Sequence, residues 1–162
     1  MITYRKAEND KDIQLIAELA KIIWNEHFTP LIGKEQVDYM LDKFQSYHAI
    51  SDAVNNDGYV YYMAFDDDSL AGYLGAHPED DCVFLSKIYV ERGHRRLGIA
   101  SKMLELVKAD FADKNYMYLT VNKHNDIAVS TYNALGFTLR REQVTDIGHG
   151  FVMDDYVFRY DL

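Results

Sequence analysis

The pattern of apolar and polar residues predicts a chain in which helices and strands are interspersed. Apolar residues recur at helical spacing after a cap at Asn9 or Asp10, whereas β-branched and aromatic runs indicate strands. Strands are predicted at about Ile2–Arg5, Tyr59–Phe65, Leu70–His77, Val83–Val90, Tyr116–Val121, Thr138–Val144 and Phe151–Tyr160. Helices are predicted from the first cap to Ile23, over Lys34–Phe44, Ser46–Val54 and Ile99–Val107, and within Asn122–Phe137. This order predicts an α/β (α+β) fold with a mixed, mostly antiparallel, twisted sheet of about seven strands and helices on both faces.

The most informative segment is the turn between the strand Val83–Val90 and the helix that follows it. Gly98 and Ala100 carry little or no side chain, so backbone N–H groups at the helix start can approach an anion, which the helix dipole also favours. Arg95 and Arg96 add positive charge. A strand-to-helix turn can contain glycine for purely structural reasons. The Walker and dinucleotide-binding glycine patterns are both missing, so the segment predicts a phosphate-binding loop of another kind.

Two motifs resemble the GNAT family of N-acetyltransferases. The run Arg95-Arg96-Leu97-Gly98-Ile99-Ala100 fits the family's pyrophosphate loop, Gln/Arg-x-x-Gly-x-Gly/Ala. A second family pattern, Val-x-x-x-Asn-x-x-Ala-x-x-x-Tyr-x-x-x-Gly-Phe, is met by Val121, Asn125, Ala128, Tyr132, Gly136 and Phe137. Asn125 also suits a helix N-cap, Tyr132 a packed aromatic side chain and Gly136 a helix C-terminus. The resemblance implies the GNAT fold and an acetyl-CoA-dependent N-acetyltransferase.

The resemblance also implies roles for residues of this chain. Acetyl would pass directly from the thioester to a neutral primary amine, with Tyr132 protonating the departing thiolate and a backbone N–H of the splayed strand stabilising the thioester oxygen. Leu97 departs from the family, which often has a small or basic residue there, so Arg95 and Arg96 would supply the side-chain grip on phosphate. The residues expected to contact the cofactor are Ile88, Tyr89, Val90, Arg95, Arg96, Leu97, Gly98, Ile99, Ala100, Ser101 and Asn125.

Composition agrees with one domain spanning residues 1–162, since 162 residues with 48% hydrophobic content suffice for one core. The sequence has neither a signal-peptide layout nor an apolar run of membrane-spanning length, so we expect a cytoplasmic protein without membrane contact. The single cysteine, Cys82, forms no internal disulfide and is read as a small buried residue. Six histidines lack ligand spacing, and no metal is expected.

The net charge of −9 argues against nucleic acid as a partner. Five basic residues between Lys87 and Lys102 form a local exception, and we expect coenzyme A to dock there. The remaining acidic surface would attract a cationic second substrate, although solubility alone also explains such a surface.

The flanking segments resemble the Pai-type bacterial spermine/spermidine N-acetyltransferases, which makes a polyamine the favoured acceptor. Trp24, Asp154 and Asp155 are the candidate substrate residues. The two aspartates are adjacent, so on a strand they would point to opposite faces. The sequence does not identify the general base, for which the candidates are Glu26, Asp38, Asp154 and Asp155. Other acceptors also remain open: a protein N-terminus, a lysine side chain or an aminoglycoside. A non-catalytic acetyl-CoA-binding module is a further alternative. The sequence does not give the oligomeric state, and a homodimer is possible.

Overall fold

A computed structural model describes residues 1–162 and contains seven strands and six α-helices. The strands are β1 (Ile2–Lys6), β2 (Val60–Asp66), β3 (Ser69–Pro78), β4 (Cys82–Val90), β5 (Tyr116–Asn122), β6 (Thr138–Gly148) and β7 (Phe151–Asp161). The helices are α1 (Asp10–His27), α2 (Thr29–Ile32), α3 (Lys34–Met40), α4 (Tyr47–Asn56), α5 (Ile99–Asp110) and α6 (Asp126–Ala134). The predicted α+β class and the strand count are confirmed.

The strands form one sheet in the order β1-β2-β3-β4-β5-β7-β6. Every neighbouring pair is antiparallel except β4 and β5, which run parallel. That parallel pair is hydrogen-bonded only from Cys82–Phe84 to Tyr116–Tyr118, and beyond these residues the two strands diverge. The divergence opens the sheet at its centre and leaves one edge of Leu85–Val90 without a strand partner.

Each face of the sheet carries its own hydrophobic core. On one face α5 packs its buried side chains, including Ile99, Met103 and Val107, against the strands. On the other face α1, α3 and α4 cover a core rich in aromatic residues, among them Trp24 and Tyr73. Alternate residues of a regular strand point to opposite faces, so residues two apart on β7 contribute to the same core.

Several local features differ from the sequence expectations, among them the short helix α2, which the pattern does not predict. The helix predicted over Lys34–Phe44 is α-helical only to Met40, and a π-helical turn, Leu41–Gln45, follows. β6 extends four residues beyond its predicted end at Val144, because it pairs with β7 as far as Gly148. A β-bulge in β4, opposite Gly75 and Ala76 of β3, leaves Ser86 without a register partner. Bulges and π-turns both redirect neighbouring side chains.

The helix ends follow ordinary capping chemistry. The side chain of Asn9 accepts a hydrogen bond from the backbone N–H of Asp12 at 3.0 Å and begins α1. Arg5 of β1 donates to both carboxylate oxygens of the buried Asp12 at 2.7 Å, which ties α1 to the sheet. None of the helices combines the length and apolar character that a membrane crossing requires.

Candidate active site

The opening between β4 and β5 leads into a cavity of about 970 Å³. Its walls include Leu85–Val90 of β4 and Leu119–Asn122 of β5, together with residues from α1, α5, α6 and β7. Because one edge of Leu85–Val90 has no strand partner, its backbone groups can hydrogen-bond an extended ligand. The cavity is therefore a cleft in which a ligand can lie along a strand.

The predicted phosphate loop lies at one end of this cleft, where it starts α5. Gly98 is the N-cap residue of α5 and has the left-handed conformation, with φ +77° and ψ 14°. Arg96 is also left-handed, with φ +66°. The space around the Cα of Gly98 is open, since an added Cβ would meet no atom within 4 Å. Backbone N–H groups at this helix start thus face open space, as an anion site requires.

Charged side chains hold the segment before this loop. The ring of His94 contacts the carboxylate of Glu91 at 2.6 Å and that of Asp66 on β2 at 2.9 Å. The hydrogen bond to Asp66, followed by that to Glu91, raises the pKa of His94 above its usual value. Arg95 donates from Nε to the backbone carbonyl oxygen of Val90 at 3.2 Å, so the loop is anchored to both β2 and β4.

α6 contributes Asn125 and Tyr132 to the cavity wall. Asn125 is buried and caps α6 by accepting from the backbone N–H of Ala128 at 3.2 Å, and its Oδ1 also lies 3.2 Å from Nε2 of His27. Tyr132 packs edge-on against Phe137, with ring centroids 5.7 Å apart. Burial raises the pKa of the Tyr132 hydroxyl, which therefore stays protonated at neutral pH.

The α1 side of the cavity forms a compartment that we call the aromatic chamber, lined by Trp24, Phe28, Tyr59, Lys87, Tyr89 and Asp155. The rings of Trp24 and Phe28 lie 4.4 Å apart, and Tyr89 packs edge-on against both at 5.9 and 6.0 Å. The indole Nε1 of Trp24 is buried and has no hydrogen-bond partner. The walls of this chamber are thus apolar apart from a few polar groups.

Asp155 is the only carboxylate in the aromatic chamber. Its side chain is 3% exposed and makes no hydrogen bond within the protein. Burial, and secondarily the charge of Asp154, raises the pKa of Asp155 to about 6. Asp154 lies on the opposite face of β7, where it forms an ion pair with Lys123 at 2.9 Å, so the predicted opposition of the two aspartates is confirmed.

Lys87 is a second buried ionisable group in the aromatic chamber, and the sequence-based interpretation of it was wrong. The sequence groups it with the basic residues expected to dock coenzyme A, yet it points to the α1 side of the sheet and is 8% exposed. Its Nζ donates to the hydroxyl of Tyr61 at 2.7 Å and lies 5.4 Å from the ring centroids of Tyr59 and Tyr61. Burial lowers the pKa of Lys87 to about 8. The bulge at Ser86, which the sequence pattern does not reveal, precedes this residue.

Hydrogen bonds join α3 and the π-helical turn to the β6–β7 hairpin beside the chamber. Tyr39 and Lys43 both donate to the backbone carbonyl oxygen of Ile147, the latter at 2.7 Å. Gln36 donates from Nε2 to the carbonyl oxygen of Val152 at 2.8 Å. These bonds hold the hairpin against α3 and the π-helical turn.

Most of the residues predicted from sequence meet in this cavity. Leu97 and Asp154 are absent from its lining, and Leu97 is 61% exposed. Of the other base candidates, Glu26 is exposed and Asp38 pairs with Lys34 at 2.7 Å, both outside the cavity. The predicted residues that line it are Trp24, Ile88, Tyr89, Val90, Arg95, Arg96, Gly98, Ile99, Ala100, Ser101, Asn125, Tyr132 and Asp155.

A sequence model described as the acetyltransferase (GNAT) family matches residues 16–137. The chain therefore belongs to the GNAT family, and it is an acetyl-CoA-dependent N-acetyltransferase with the GNAT fold. The residues present fit acetyl-CoA: an open glycine-containing helix start can take a pyrophosphate, and an unpaired strand edge can take an extended amide chain. No curated protein matches the chain significantly.

Solved structures share the fold across the whole chain. PaiA N-acetyltransferase from Thermoplasma acidophilum, in complex with coenzyme A, is 19% identical with a TM-score of 0.82, covering 100% of this chain and 99% of that one. NAA60 from Arabidopsis thaliana, in complex with a bisubstrate analogue, is 18% identical with a TM-score of 0.68, covering 100% and 99%. The ribosomal-protein-S18-alanine N-acetyltransferase from Escherichia coli is 16% identical with a TM-score of 0.70, covering 99% and 94%. At these identities the likeness concerns the fold.

Proposed function

We propose that this acetyltransferase acts on the primary amine of a small molecule that enters the aromatic chamber, with Asp155 as general base and Tyr132 as general acid. The observation that carries the proposal is a buried carboxylate without a hydrogen-bond partner, in the same cavity as the glycine-containing helix start and the unpaired edge of β4. An amine is the group that such a carboxylate can bind and deprotonate.

The loop from Arg95 to Ser101 would hold the pyrophosphate of acetyl-CoA through backbone N–H groups and the two arginines. The free edge of Ile88–Val90 would bind the pantetheine arm, and Asn125 would contact it near the sulfur. Acetyl-CoA supplies an activated acetyl thioester. The fit rests on the open space at Gly98 and on the divergence of β4 and β5.

Asp155 would accept the proton that the amine must lose, directly or through one water molecule. A protonated amine has no lone pair, so the base must be ionised when the amine binds. The pKa of about 6 leaves Asp155 mostly ionised at neutral pH, while its burial makes it a stronger base than a surface aspartate.

Tyr132 would donate its hydroxyl proton to the sulfur as the C–S bond breaks and the new N–C bond forms. Burial disfavours the ionised phenolate, so the proton stays on Tyr132 at neutral pH and is shared with the sulfur only as negative charge develops there. A backbone N–H within Ile88–Val90 would stabilise the negative charge that develops on the thioester oxygen. Cys82 lies outside the cavity, and burial raises the pKa of its thiol, which supports direct transfer over an acetyl-cysteine route.

Two acceptor classes compete for the chamber. A linear polyamine is supported by the net charge of −9, by Asp155 and by the resemblance of the flanking segments to the Pai-type enzymes. A peptide or amino-acid amine is supported by Lys87, because a buried ammonium group disfavours a molecule that carries several positive charges. The S18-alanine acetyltransferase shares the same fold.

A substrate panel tests the proposed function. The protein is incubated with acetyl-CoA and, separately, spermidine, cadaverine, L-lysine, a short peptide and an aminoglycoside, and free thiol is measured. We expect thiol release that requires an amine and that falls sharply in Asp155→Asn. Thiol release that no amine stimulates would overturn the proposal and favour a non-catalytic acetyl-CoA-binding module.

A further inference from the structure

Lys87 has an unusual position for a lysine. Charged side chains are seldom fully buried unless a charge of opposite sign compensates them, because desolvation is costly. Lys87 is 8% exposed, its only hydrogen-bond partner is the neutral hydroxyl of Tyr61, and burial is the sole cause of its lowered pKa. An ammonium group has three N–H donors, so two of them remain without a partner inside the protein.

The environment of Lys87 favours a charged rather than a neutral amine. The rings of Tyr59 and Tyr61 lie 5.4 Å from Nζ and can stabilise a cation through their faces. With a pKa of about 8, most Lys87 side chains carry a proton at neutral pH. The aromatic chamber therefore presents a positive charge with unused donors to whatever enters it.

A second unpartnered donor belongs to Trp24, another residue of the same chamber. The indole Nε1 of Trp24 is buried without a partner, and Trp24 itself is 5% exposed. Both groups donate hydrogen bonds and neither accepts them. Asp155 is the only carboxylate in the chamber, and it forms no ion pair with Lys87.

We infer that Lys87 is a specificity residue that binds a carboxylate of the acceptor, so that the acceptor is an amino acid or a similar molecule carrying both an amine and a carboxylate. This inference rests on the proposed function, since Asp155 takes the amine of the same molecule. Lys87 binds the carboxylate in a charge-assisted hydrogen bond. The aromatic rings that line the rest of the chamber strengthen this recognition, because they lower the local dielectric constant around the charged groups.

Pairs of amines that differ only by a carboxylate test the inference. L-lysine and cadaverine form one such pair, and L-ornithine and putrescine form another. A charge-assisted hydrogen bond in a buried site should make the amino acid bind about tenfold to a hundredfold more tightly than its decarboxylated partner. Calorimetric titration into the complex of the enzyme with coenzyme A measures this ratio without turnover.

Lys87→Met keeps the apolar stem and removes the charge. It should therefore reduce the ratio of the two affinities, amino acid over decarboxylated amine, to about one for both pairs. Lys21→Met, at an exposed position on α1, is the matched control and should leave the ratio unchanged. Circular dichroism checks that both variants fold. If Lys87→Met does not fold, Lys87→Arg replaces it in the test; this variant keeps a cation and should retain the preference for the amino acid.

Amino acids that bind the wild-type complex no more tightly than their decarboxylated partners would overturn the inference, as would a preference that survives in Lys87→Met. The panel described above separates this failure from failure of the proposed function. If spermidine or cadaverine supports thiol release and the ratio is one, only the role of Lys87 is lost. If no amine supports thiol release, the proposed reaction itself is lost.

Discussion

Asp155→Asn should stabilise the protein while it reduces activity. The folded protein holds the pKa of Asp155 at about 6, against an ordinary value of 3.8, because the carboxylate is buried. Each unit of pKa difference is worth about 1.4 kcal/mol, so ionised Asp155 costs the folded state roughly 3 kcal/mol at pH 8. Asparagine carries no charge but remains a buried polar group, and we therefore expect a gain of about 1–3 kcal/mol in the free energy of unfolding.

The gain should depend on pH in a defined direction. A carboxyl group whose pKa is raised by folding favours the folded state while it is protonated, and this advantage is lost as the pH rises through about 6. The difference between Asp155→Asn and wild type should therefore be largest above pH 6 and shrink as the pH falls toward 4. Urea denaturation at several pH values measures it.

The activity of Asp155→Asn should fall by roughly a hundredfold or more, the usual contribution of a general base. In the wild type, kcat/KM should decline below an apparent pKa near 6, and this decline should disappear in the variant. Asp154→Asn is the matched control: the same change on the neighbouring residue removes a partly exposed ion pair with Lys123 and should alter activity little. Activity of Asp155→Asn within about twofold of wild type, with chemistry rate-limiting, would refute the assignment of the base.

Three further predictions concern the cofactor side of the cavity. Gly98→Asp should abolish the thermal stabilisation that coenzyme A confers, because it places a negative charge at the loop and forces a residue with a Cβ into the left-handed conformation. Gly58→Asp is the control: Gly58 has a similar φ of +76° but lies outside the cavity, so this variant should keep the stabilisation. Tyr132→Phe should lower kcat by roughly a hundredfold with little change in the apparent affinity for acetyl-CoA, and an unchanged kcat would reduce Tyr132 to a packing role. His94→Gln should be less stable than wild type below about pH 6.5, where the wild-type imidazolium bonds to Asp66 and Glu91. This difference in stability should vanish as the pH rises above the raised pKa of His94. A difference that does not depend on pH would contradict the charge argument.

The sequence predicted the fold, and it predicted most of the residues that line the cavity around the start of α5, because both depend on local patterns. Strand periodicity predicted seven strands, and the loop ending in Gly98 carries its chemistry within a few consecutive residues. The motif also located Asn125 and Tyr132, since the cap of α6 and one helical face fix their positions.

The acceptor side could not be predicted in the same way because it is built from distant segments. The aromatic chamber combines residues of α1, β4 and β7, and no short pattern links Trp24, Lys87 and Asp155. Lys87 was misassigned because its orientation depends on the side of β4 to which it points, next to a bulge at Ser86. The choice between Asp154 and Asp155 likewise needed the register of β7, since alternation alone separates the two faces without saying which one is buried.

Direct transfer of acetyl to an amine nitrogen is the central claim, and isotope labelling tests it most directly. The protein is incubated with acetyl-CoA labelled with ¹³C in the acetyl group and with each amine of the panel, and both amine and protein are analysed by mass spectrometry. We predict one labelled acetyl group on the amine nitrogen, strongly reduced in Asp155→Asn, and no label retained on the protein. Unlabelled amines, or label that accumulates on the protein and passes to the amine only afterwards, would contradict this account.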